Sequence, residues 1–211
     1  EEIWQKLHPS DTTPFDDIRF RKLFSDLLKL VESFLAQQIY DENPLHKATY
    51  LIEAVSRKRI DKLYNSVMRT ARRLSEYQSY KPANYFYYQY EIESKYYNLA
   101  EHQFKRHDRK NVEEIANNLD YFYIAEKLKY YCAILNQQYV VSHEYKLLFI
   151  DDIINHIQQS DYKDIPPIAI YYQIYLTLNE TDNDDHYFKL KDLMTKHILE
   201  FPIEEAQKIY K

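Results

Sequence analysis

Residues 84–97 read NYFYYQYEIESKYY: seven of the fourteen positions are aromatic, and six of those are tyrosine. Placed at ~100° per residue, residues 83–105 form one broad apolar arc. Tyr85, Tyr88, Ile92, Tyr96 and Leu99 lie on one side of it, with Phe86, Tyr90, Tyr97, Ala100 and Phe104 beside them. Glu91, Lys95, Asn98 and His102 take the opposite side, and Tyr87 falls outside the arc. An arc nearer ~200° than ~100° predicts a helix covered by two neighbours. Gln89 and Glu93 sit inside it, so burial would oblige them to find partners, and the surrounding tyrosine hydroxyls are the expected ones. The alternative is that Glu93 lines a pocket.

The same phrase returns as Tyr121, Phe122 and Tyr123, as Tyr130 and Tyr131, and as Tyr171, Tyr172 and Tyr175. Each doublet sends two rings ~100° apart, toward two neighbours. Recurrence in several segments points to a packing habit. Tyrosines that reach a surface also make good peptide contacts at low entropic cost.

The rest of the 211-residue chain supports an all-α reading. Glycine is absent, which removes the Walker A loop, the Rossmann fingerprint, the nucleophile elbow and the usual residue of tight hairpins. No segment holds a sustained period-2 alternation, so no strand is expected. Prolines and small polar clusters mark the breaks. Thr13 and Pro14, followed by Asp16 and Asp17, announce a helix to about residue 39, and Asn43 with Pro44 starts the next. Residues 45–78 contain no breaker and are divided on length, near SRKR at 56–59. Further helices are expected over 83–105, 112–138, from Ser142 to 158, 166–178 and 185–199, with a last one from Pro202. That makes about nine antiparallel helices joined by short connections, in a single all-helical domain spanning 1–211. Residues 1–43 supply an N-terminal, capping helix and 44–211 a helical-repeat region.

Helix-pair starts near 44, 83, 142 and 183 are separated by roughly 40, 60 and 40 residues, against the ~34–47 of tetratricopeptide and HEAT-type repeats. AEKLKYYCAILNQQY (125–139) and PIAIYYQIYLTLNE (167–180), each with paired tyrosines and a small residue, Ala125 or Ala169, in the first turns, resemble inner helices of tetratricopeptide-like arrays. The resemblance is to a degenerate form, because the Leu-Gly step cannot occur and the one tryptophan, Trp4, lies outside the repeats. It implies a right-handed α-solenoid that binds a protein or peptide on its concave face.

Charge is unevenly placed. Residues 1–43, 44–110 and 111–211 carry net charges of −4, +7 and −8. In RKRIDKLYNSVMRTARR (57–73), Lys62, Arg69, Arg72 and Arg73 fall near one helical face, with Arg59 just before the helix. Such a face meets an acidic protein segment or nucleic-acid phosphates, or is solvated and paired with the acidic C-terminal half. A pI near 5.9 disfavours nucleic acid.

Signals for chemistry are sparse. Asp152 with His156, and Glu101, His102, His107 and Asp108, are the best metal-ligand groupings, and neither completes a recognised set. No catalytic residue, cofactor or metal is expected. Cys132 excludes an internal disulfide and reads as a small buried apolar side chain, consistent with a cytoplasmic, reducing setting. No apolar run approaches the ~20 residues of a membrane span, and the opening residues do not read as a secretory signal. The leading expectation is therefore a non-enzymatic interaction module for a protein or peptide. Its binding residues would be Arg59, Lys62, Arg69, Arg72, Arg73, Tyr87, Tyr90 and Glu93. The rivals are a small-ligand binder or enzyme with a pocket of Glu93, Gln89, tyrosine hydroxyls and His102, and a nucleic-acid binder using 57–73.

Overall fold

The computed structural model describes residues 2–7, 15–78, 81–103, 112–138, 145–160, 162 and 164–209. The described residues form α-helices and one 3-10 turn, and no strand occurs among them. They divide into two compact units, residues 1–47 and 48–211. Among the described residues no helix is long and apolar enough to cross a membrane.

The first unit contains α1 (Glu2–Leu7) and the long α2 (Asp17–Glu42). Asp16, rather than Thr13, is the N-cap found: its carboxylate accepts from the amides of Ile18 and Arg19 at 3.0 and 3.1 Å. Thr13 and Pro14 lie outside the described residues. Trp4 of α1 is buried and meets Phe15 and Phe20 edge-on.

α3 (Pro44–Arg57) runs across the division between the units, and Asn43 caps it through a bond from the His46 amide at 3.0 Å. It ends in a turn where Arg59 takes a left-handed φ of 52°, a conformation that a chain without glycine must give to another residue. α4 (Asp61–Glu76) follows, so the break does fall within SRKR.

The core of the second unit is carried by α5 (Ala83–Gln103), α6 (Val112–Gln138), α7 (Ile150–Gln159) and α8 (Pro166–Asn179). α5 packs against α4 and α6, α6 against α7 and α8, and α8 against α9 (Asp184–His197). A 3-10 turn at Ile198–Glu200 leads to α10 (Ile203–Ile209). Ala125, Leu128 and Ile168 are fully buried, with Ile153, Ile154 and Ile157 of α7 around them.

Two expectations need correction here. The helix placed from Ser142 begins at Ile150: residues 145–147 are irregular, and Phe149 takes a left-handed φ of 62° that interrupts any helix through it. Residues 142–144 are outside the described set. The doublets also do not all cover two neighbours. Tyr131 stacks on Tyr175 at 5.6 Å, which stacks in turn on Tyr172 at 6.0 Å, whereas Tyr130 is 62% exposed.

Candidate functional site

α4 separates two faces cleanly. Tyr64, Val67, Met68, Ala71 and Ser75 are buried, and the side facing away from them carries Lys62, Arg69 and Arg73, all exposed. The spacing that buries the first set at i, i+3, i+4 and i+7 forces the second set into one stripe.

Between the stripe and the buried face stands Arg72. Its Nε and Nη2 donate to Glu93 Oε1 and Oε2 of α5, each at 2.7 Å, in a bidentate pair. Glu93 is 7% exposed. The Arg72 guanidinium also lies 4.5 Å from the centre of the Tyr96 ring, which stacks on Tyr64 with 6° between the planes. The hydrogen bonds to Glu93 raise the guanidinium pKa further above its already high value, while burial pushes the Tyr64 phenol upward. One turn back along α5, Gln89 donates to the buried Ser75 hydroxyl of α4. From α4, Ser75 thus meets Gln89 and Arg72 meets Glu93.

Two cavities border this junction. One, of about 580 Å³, is a groove lined by Arg69, Arg72, Arg73, Glu76, Tyr77 and Tyr96, with Asn65 and Met68. Arg69 and Arg73 form no ion pair with any described residue, whereas Arg57 is paired with Glu53 at 2.5 Å. Tyr77, the C-cap of α4, is 80% exposed. Among the described residues the groove therefore presents two unpaired guanidinium groups and an exposed ring, with one carboxylate, Glu76. The other cavity, of about 520 Å³, is more acidic: Glu76, Glu93, Glu114, Asp164 and Glu200 line it, with Arg72, Lys81 and His197. His197 Nδ1 lies 2.6 Å from Glu200 Oε1, and its Nε2 is buried with no partner found.

The residues nominated from sequence do not form one site. Arg69, Arg72 and Arg73 converge on the groove; Lys62 and Arg59 are exposed nearer the start of α4 and do not line it. Glu93 lies behind Arg72. Tyr87, 37% exposed, packs at 5.2 Å against Phe122 and at 6.3 Å against a half-buried Tyr90, away from the groove. Its phenol pKa is raised, chiefly by the nearby Glu91 carboxylate. Sequence reading missed Tyr77 and the groove side of Tyr96. The spacing of Tyr77, four residues beyond Arg73, was the available signal.

The weaker chemical signals resolve simply. His156 shares a 2.5 Å hydrogen bond with the Tyr162 hydroxyl, and no group of three metal-ligating side chains occurs among the described residues. The His102, His107 and Asp108 nominations fall outside the described side chains. Cys132 is buried, its thiol donates to the Tyr171 carbonyl at 3.3 Å, and burial pushes its pKa up to about 12, which removes thiolate reactivity near neutrality.

No family model matches this chain, and searches of curated proteins and of solved structures returned no match.

Proposed function

We propose that the chain is a non-enzymatic helical-repeat module that binds an acidic segment of a protein or peptide along α4. The observation that carries this reading is the convergence of Arg69, Arg72 and Arg73 on one groove, with Arg69 and Arg73 unpaired among the described residues. Exposed guanidinium groups at the groove offer bidentate bonds to carboxylates, and Tyr77 and Tyr96 add ring surface for apolar side chains between them. Lys62 and Arg59 extend the positive field and would steer an acidic partner toward it.

The repeat character of the fold belongs to the same proposal. Its support is the packing of α4 on α5, α5 on α6, α6 on both α7 and α8, and α8 on α9. The rival pocket built on Glu93 has less behind it, because both carboxylate oxygens already accept from Arg72.

The proposal can be tested with a lysate pull-down that compares the natural chain with R69E/R73E, which leaves the Arg72–Glu93 pair intact. Loss of an acidic partner in the variant supports the reading. An unchanged partner set removes the groove from it.

A further inference from the structure

Within the second unit, α9 packs along α8, whereas α7 packs on α6. α7 and α9 are not in close contact with each other, and the space between them over α8 is a cavity of about 460 Å³. All of its walls belong to the second unit. Ile157 of α7, Ile168 of α8 and Leu193 of α9 line it, together with the rings of Tyr162 and Tyr172. Ala169, in the first turn of α8, contributes only a methyl group to the wall.

Polar groups in the wall have partners inside the protein. The Tyr162 hydroxyl lies 2.5 Å from His156 Nε2, and the side-chain amide of Gln173 donates to the His186 carbonyl at 3.0 Å. A mostly apolar cavity of this size falls within the ~300–1,000 Å³ of small-molecule sites, which combine such walls with a few charged or polar groups that fix the orientation of the ligand.

Charge is supplied by one helix. Lys189, Asp192 and Lys196 line the cavity from a single face of α9, at i, i+3 and i+7, and all three are exposed. None of the three side chains is in an ion pair with a described residue. Two cations against one anion make this edge positive, although residues 111–211 as a whole carry a net charge of −8. Ammonium groups without partners favour an anion, and the walls favour an apolar body behind it. A cationic ligand would meet two like charges, and a neutral one would leave both ammonium groups unused. We infer that this cavity binds a small organic acid, with its carboxylate at Lys189 and Lys196 and its aryl or alkyl body between α7 and α9. The site shares no residue with the α4 groove, so this inference is independent of the acidic-segment proposal.

Isothermal titration calorimetry on the full chain tests it with a matched series of 4-phenylbutyrate, 4-phenylbutan-1-ol and 4-phenylbutylamine. The expected result is one-to-one binding of the acid, at least tenfold tighter than the alcohol or the amine. K189E/K196E changes exposed positions only and should weaken the acid at least tenfold. D192N removes the one anion of the edge and should tighten the acid by roughly threefold, a gain that a damaged fold could not give. A169L puts a larger side chain into the cavity and should abolish binding of all three compounds. Equal affinity for acid and amine would overturn the inference. So would acid binding that K189E/K196E leaves unchanged, or no binding of the acid up to millimolar concentration.

Discussion

Glu93 and Arg72 fasten α5 to α4. The carboxylate is nearly dry while the guanidinium remains 38% exposed, so removing the arginine takes two charge-assisted hydrogen bonds from a carboxylate that water reaches poorly. Arg72→Ala should cost about 2–3 kcal/mol in chemical denaturation, below the ~3–5 of a fully buried pair because Arg72 keeps some solvent. Replacing both, as R72M/E93L, should recover most of that loss, since no charge is then left without a partner. If the double variant is as unstable as Arg72→Ala, the pair does more than satisfy its own members. From sequence, Glu93 was visible as a polar residue inside an apolar arc, but its partner was not. A separation of 21 residues across a helix–helix junction leaves no local spacing to read.

At the level of the helix, periodicity was legible wherever one face is buried throughout. The wheel of α5 correctly buried Phe86 and Ile92 and left Tyr87 outside, and the face of Glu91 and Lys95 meets α3 through Lys95, 3.5 Å from Glu53 and 3.2 Å from the Thr49 carbonyl. What the pattern could not show was how many neighbours a face meets, which depends on helices far away in sequence. α6 makes the point. Leu128 is completely buried, whereas Tyr130, two residues on, is largely exposed although its doublet partner Tyr131 is stacked. Leu128→Ala should therefore destabilise by roughly 2–5 kcal/mol and Tyr130→Ala by under about 0.5 kcal/mol in urea titrations. Comparable losses at the two positions would contradict the arrangement of α6. The start of α7 was illegible for a different reason. In a chain without glycine, a left-handed residue at a helix boundary carries no signature, and here it is Phe149, just before α7 begins.

At the scale of the whole molecule, a few buried tyrosines and the one cysteine tie stability to alkaline pH. Burial raises the pKa of Tyr64, Tyr171 and Cys132, the last from 9.0 to about 12. An acid raised on folding keeps its proton in the native state and releases it more readily when unfolded. Its contribution is therefore complete below the unfolded pKa and lost as pH climbs toward the folded one. Thermal stability should hold up to about pH 9 and fall steadily toward pH 12, with phenolate absorbance rising at the unfolding transition. A flat melting temperature over that range would place these groups in solvent.

The distribution of charge along the chain is the other property of this scale, and it is the one the sequence displayed most openly. The basic stretch at 57–73 was plain; that Arg72 turns inward while Arg69 and Arg73 remain available was not, because the helical spacing treats all three alike. The central claim, that the α4 groove receives an acidic segment, is tested most directly by fluorescence anisotropy. A labelled peptide of Asp and Glu interspersed with Leu and Phe is titrated with the natural chain and with R69E/R73E, at low and moderate salt. The account predicts saturable binding that weakens with salt and falls at least tenfold in the variant, and that single-stranded nucleic acid does not displace the peptide. Equal binding by the two proteins, or none by either, would contradict it.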